Sequence, residues 1–102
     1  MTSSRFLLPA ALLAVFLGAT NGLTYTGEEL ANFATVSLAD ARTIALKTFP
    51  GKIKDEELEQ EKGGSGLRYS FDIERGRVTH EIGVDAKTGK VLENSLEGPH
   101  SD

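Results

Sequence analysis

Residues 67–84 alternate apolar and polar side chains almost without a break, and no other feature of the chain constrains its fold so tightly. Leu67, Tyr69, Phe71 and Ile73 fall on one phase, Arg68, Ser70, Asp72 and Glu74 on the other. After Arg75-Gly76 the pattern resumes, with Val78, His80, Ile82 and Val84 set against Thr79, Glu81, Gly83 and Asp85. A repeat of two is that of a β-strand with one face buried. The two runs therefore predict a hairpin that needs a covering layer on its apolar side. Asp85-Ala86-Lys87-Thr88-Gly89-Lys90 reads as a second turn, opened by Asp and carrying Gly where φ is positive. Lys90–Glu93 supplies a short last strand through Val91 and Leu92, and Asn94–Asp102 reads as a frayed tail.

The covering layer precedes the hairpin. Leu38, Ala41, Ala45 and Phe49 recur at i, i+3, i+7 and i+11, flanked by Ile44 and Thr48, which is a helical stripe. Ser37 offers a hydroxyl N-cap, and Asp40 suits the positive end of the helix dipole. Pro50-Gly51 stops the helix, because Pro cannot continue the hydrogen-bond ladder and Gly tolerates a left-handed exit. Further upstream, Thr26-Gly27-Glu28-Glu29 has the spacing of a capping box ahead of Leu30, Phe33 and Ala34, predicting a short first helix. In the charged run Lys52–Lys62, Ile53 and Leu58 stand five apart and would face opposite sides of a regular strand. Either a bulge brings both to one face, or the run is a solvated edge strand whose charges discourage pairing. Gly63-Gly64-Ser65-Gly66 reads as a flexible connector. The sum is an α+β fold, with one main helix packed on a small antiparallel sheet of three to four strands.

The amino-terminal segment has a different character. Arg5 is its only charge before Glu28, and Phe6–Leu17 is apolar throughout. A short basic start, a twelve-residue apolar stretch and the small residues of Gly18–Gly22 predict a cleavable secretory signal over residues 1–22, cut after Ala19 or after Gly22. The apolar stretch falls short of the roughly 20 residues a spanning helix needs. Stable membrane insertion is therefore not expected after cleavage. The expected divisions are a signal at 1–22, an N-terminal segment at 23–35, the folded domain at 36–94 and a tail at 95–102. The expected location is exported, either periplasmic or extracellular.

Composition excludes several functions. Beyond residue 22 ten Lys and Arg face fifteen Asp and Glu, so the exported part carries −5 and repels nucleic acid. With no Cys, disulfides, thiolate metal sites and thiol chemistry are ruled out. The acidic run Asp55–Glu61 lacks the ligand order of a calcium loop and reads as a solvated strand face. His80 and His100 form no ligand pair; His80 falls on the apolar phase and reads as a residue of the core edge. Gly83–Lys90 has the wrong spacing for a phosphate loop, and Ser70 has no catalytic partner in phase. Asp72, Glu74, Glu81 and Asp85 share the outward phase, where an exposed face gives carboxylates no burial to separate their pKa values. No catalytic residue, cofactor or metal ligand is expected.

Three stretches resemble a known family, the PepSY domains. They are Val36-Ser37-Leu38-Ala39-Asp40-Ala41-Arg42-x-x-Ala45-Leu46 closed by Pro50-Gly51-Lys52-Ile53, the strand Gly66–Ile73, and Val84-Asp85-Ala86-x-Thr88-Gly89-Lys90-Val91-Leu92. In order and spacing they cover about residues 36–94. The matching residues Ala41, Ala45, Pro50, Gly51, Tyr69, Phe71, Asp85 and Gly89 read as fold-building positions in helix packing, helix stop, core and turn. The resemblance implies an exported, noncatalytic domain, related to propeptide segments of thermolysin-type metallopeptidases, that inhibits or regulates a peptidase or binds another envelope protein in trans. The alternative expectation is an envelope structural or sensory protein that binds a small ligand or cation.

Overall fold

The computed structural model describes residues 25–97. The expected signal segment lies outside them. A 3-10 helix, Glu28–Phe33, is followed by helix α1, Leu38–Thr48, and four strands: β1 (Lys52–Gln60), β2 (Leu67–Arg75), β3 (Val78–Asp85) and β4 (Val91–Leu96). The strands form one antiparallel sheet in the order β1-β2-β3-β4. Among the described residues no helix is long and apolar enough to cross a membrane.

The alternation of 67–84 becomes the two central strands. Tyr69 pairs with Val84, Phe71 with Ile82 and Ile73 with His80, so their side chains share the inner face. α1 lies over that face. Its Ala41 and Ala45 are fully buried and let the helix approach closely, beside Tyr69, Phe71, Ile73, Ile82 and Val84. Ser37 caps α1 by accepting from the Asp40 N–H at 3.0 Å. Phe49, just past the helix, stacks on the His80 ring with centroids 4.0 Å apart and lies under the Arg75 guanidinium. His80 is thus held at the rim of the core.

β1 resolves the question of Ile53 and Leu58. A bulge between Ile53 and Asp55 shifts the register, and both apolar residues then face inward opposite Ile73 and Tyr69. Glu56 also points inward, where its carboxylate takes two hydrogen bonds from Arg42 of α1, at 2.9 and 2.7 Å.

Several sequence expectations are corrected. The capping box does not form: the backbone of Thr26 bridges to Glu57 of β1, and Gly27, at φ 88°, becomes the cap with no side-chain hydrogen bond. The expected short first helix is six residues of 3-10 helix, and Phe33 is exposed. Gly51 does not take a left-handed exit. It is needed because a Cβ there would lie 2.5 Å from the Glu74 carbonyl. The hairpin turn is Gly76-Arg77, since Arg75 already pairs with Val78. β4 continues to Leu96, taking Asn94, Ser95 and Leu96 out of the expected tail.

The connector at 63–66 is not loose, because Asp85 ties it down. This carboxylate, 1% exposed, accepts from the N–H of Ser65 at 2.7 Å, from Ser65 Oγ at 2.8 Å, and from the N–H groups of Lys87 and Thr88 at 2.8 and 3.2 Å. The next carbonyl, of Ala86, takes the N–H groups of Thr35 and Val36, and the Val36 carbonyl takes the Tyr69 hydroxyl at 2.7 Å. Gly89, at φ 81°, closes the turn.

Two substitutions test this construction. Phe71 is fully buried, so Phe71→Ala should cost about 3–5 kcal/mol in urea unfolding, and a loss below about 1 kcal/mol would contradict the strand phase. Burial alone would raise the pKa of Asp85, but its hydrogen bonds from Lys87, Ser65 and Thr88 outweigh this and hold it down at about 2. A depressed carboxylate stabilises the fold above its unfolded pKa and loses that contribution as pH falls through the folded one. Asp85→Asn should therefore destabilise the protein at neutral pH, by about 2 kcal/mol for a shift of this size. Its deficit against the unaltered protein should vanish between about pH 4 and pH 2.

Candidate functional site

The helix covers one face of the sheet and no described element covers the other. Strand pairing assembles the outward face in rows. Asp55, Asp72, Glu81 and Ser95 stand side by side across the four strands; Glu57, Ser70, Gly83 and Glu93 form the next row, and Glu59, Arg68 and Asp85 the third. Glu97, just past β4, donates its N–H to the Thr79 carbonyl, and its carboxylate reaches back to within 4.8 Å of those of Asp72 and Glu81.

This face is less exposed than its alternation suggested. Ser70 is 4% exposed and Arg68 7%, while Asp72, Glu81 and Glu97 are half-buried. The depth comes from long side chains lying over small ones. Arg68 runs across Gly83, where a Cβ would sit 3.2 Å from its Nη1. It reaches Glu93 Oε1 at 3.3 Å on one side and donates to the Lys62 carbonyl at 3.0 Å on the other. Ser70 donates to Glu59 Oε2 at 2.7 Å.

The expectation that these carboxylates keep ordinary ionisation is overturned for three of them, Asp72, Glu81 and Asp85. Burial, together with the negative charges of Glu97 and Asp55, pushes Asp72 up to about 6. Burial and the neighbouring Glu93, Asp72 and Glu97 push Glu81 up to about 7. Glu57 is raised for the same reasons, by burial and by Glu59, Asp55 and Glu61. Asp85, read as a member of this group, points instead into its own turn and is depressed.

Chemically, the face offers carboxylate oxygens and a single guanidinium. Among the described residues, Asp72, Glu81 and Glu97 are the carboxylates close enough together to share one hard cation, and all three offer oxygen. Sequence reasoning placed Asp72 and Glu81 on one phase but missed Glu97, which it assigned to the tail. The residues of the family resemblance lie elsewhere: Ala41, Ala45, Tyr69 and Phe71 in the core, Pro50 and Gly51 between α1 and β1, Asp85 and Gly89 in the β3–β4 turn. An open cleft of about 350 Å³ beside the β1 bulge is lined by Tyr25, Thr26, Ile53, Lys54, Asp55 and Glu56, and it gathers no catalytic set.

The family model of the peptidase propeptide and YPEB domain, PepSY, matches residues 35–94, more than half of the chain. The chain belongs to the PepSY family. PepSY domains are typically noncatalytic. Neither the curated proteins nor the solved structures contain a match to the chain.

The raised carboxylates of this PepSY domain make its stability depend on pH in an unusual direction. A carboxyl whose folded pKa is raised stabilises the fold while protonated and loses that contribution as pH rises through the folded value. The thermal midpoint should therefore fall from about pH 5 to pH 8, the range set by Asp72 and Glu81. In the double variant Asp72→Asn/Glu81→Gln that slope should flatten and the midpoint at pH 8 should rise. An unchanged slope would show that these two groups do not carry it.

Proposed function

We propose that this chain is an exported, noncatalytic PepSY module that binds a protein in trans, most directly a peptidase whose activity it modulates. The observation that carries the reading is the uneven use of the sheet. α1 and the 3-10 helix pack on the inner face and beside β1, and the described residues leave the whole outward face and the β4 edge open. Export is supported by the signal pattern of residues 1–22, and a peptidase target by the family's description as a peptidase propeptide domain.

The two edges are not equivalent. On β1 the Leu58 N–H donates to the Thr26 carbonyl at 2.9 Å, and the bulge interrupts the strand. β4 has no partner on its outer side among the described residues and ends in exposed Leu96. An extended segment could add there as a fifth strand, with specificity drawn from the adjoining face.

The test uses the purified protein as bait in envelope or culture-supernatant extract of the producing cells. Retained peptidases are then assayed alone and with increasing amounts of the protein. The reading predicts that a peptidase is held and that its turnover changes saturably. If no peptidase is retained across a range of salt and pH, or one is retained with unaltered turnover, peptidase regulation is wrong.

A further inference from the structure

The outward face carries an imbalance of charge that the chain does not itself resolve. Arg68 is the one cation rooted at its centre, and it is engaged by Glu93 and the Lys62 carbonyl. The remaining ion pairs of the described residues, Arg42–Glu56 and Lys54–Glu74, lie on the inner face and at the far end of β1. Glu57, Asp72, Glu81 and Glu97 are left without a cation. Glu97 Oε1 is wholly buried, and the neighbouring Asp72 carboxyl, when protonated, is the group that hydrogen-bonds to Glu97, so the two acids share a proton where no cation stands between them.

We propose that this face is the docking surface for an extended, Lys/Arg-rich segment of the partner protein. The inference rests on the protein-binding reading above and names the face used and the chemistry of what it receives. Arg68 shows how the face takes a cation, its stem flat over Gly83 and its guanidinium on Glu93. Asp55, Glu57 and Glu59 stand at alternate positions of β1, about 7 Å apart, which is also the spacing of alternate side chains in an extended peptide.

Other occupants fit poorly. Residues 1–24 contain only Arg5, and residues 98–102 contain no Lys or Arg and add Asp102. A second copy would bring the same carboxylates and be repelled, as would nucleic acid. The raised pKa values agree with this account, because Asp72 and Glu81 retain protons where no cation offsets their neighbours. The charged groups around them are Asp55, Glu57 and Glu59 from β1, Arg68 from β2, Glu93 from β4, and Glu97. A bound cationic segment displaces those protons, so binding tightens as pH rises from 5 to 8.

The probe is a short synthetic peptide of alternating lysine and threonine, titrated at two salt concentrations while backbone amide shifts are followed. Shifts should concentrate on the outward-facing residues of β1, β2 and β3 and weaken with salt. The variant Glu57→Gln/Asp72→Asn/Glu81→Gln should lose about tenfold in affinity. Glu28→Gln/Glu29→Gln/Asp40→Asn, which removes as many carboxylates from the 3-10 helix and α1 and none from this face, should bind as the unaltered protein does at pH 8. The first variant relieves repulsion and should remain folded. Equal losses in both variants would reduce the effect to net charge and overturn the proposal. So would shifts mapping to α1, or calcium chloride alone binding at Asp72, Glu81 and Glu97 more tightly than the peptide. Should the outward-face variant still capture and modulate a peptidase like the unaltered protein, the face is wrong while protein binding stands. If neither protein does so, the wider reading fails as well.

Discussion

A single buried carboxylate holds the ends of this fold together. Asp85 remains ionised with 1% of its surface exposed because donors from two loops converge on it. Losing one would leave a charge short of partners in a low-dielectric site, where such deficits are costly. The same residue therefore fixes the β1–β2 connector through Ser65 and the β3–β4 turn through Lys87 and Thr88. One residue later, the Ala86 carbonyl gathers the chain ahead of α1. Because Ser37 caps the helix immediately after that anchor, the position of α1 over the inner face follows from the turn as well as from apolar contact.

With one side of the sheet committed to α1, the other must face water or a partner. Its side chains form a closely spaced array of acids with a nine-tenths-buried arginine among them. A soluble sheet face ordinarily mixes charges of both signs. Here the like charges act against the fold and are relieved by proton uptake near neutral pH, or by cations from outside.

The fold was largely legible in the chain, because its strongest signals are local. Strict alternation placed Tyr69, Phe71, Ile82 and Val84 on the inner face, and the Ala41–Ala45 spacing placed the helix stripe. What was not legible depends on contacts between distant residues. Asp85 could be read as opening a turn, but not as reaching Ser65, twenty positions back. The capping box at Thr26 failed because pairing with Glu57 holds that backbone extended. Gly51 looked like a helix exit and is instead a point of close approach to Glu74. On the outward face the phase of Asp72 and Glu81 was clear. Their depth was not, since it arises from neighbouring long side chains and from a last strand that runs further than its composition suggests.

The central claim is that the outward face carries negative charge its own residues do not neutralise. The most direct measurement is a titration of the side-chain carboxyl resonances of Asp72 and Glu81 in the free protein. Midpoints near 6 and 7 respectively are predicted. Midpoints near 4 for both, the range of isolated carboxylates, would contradict the account.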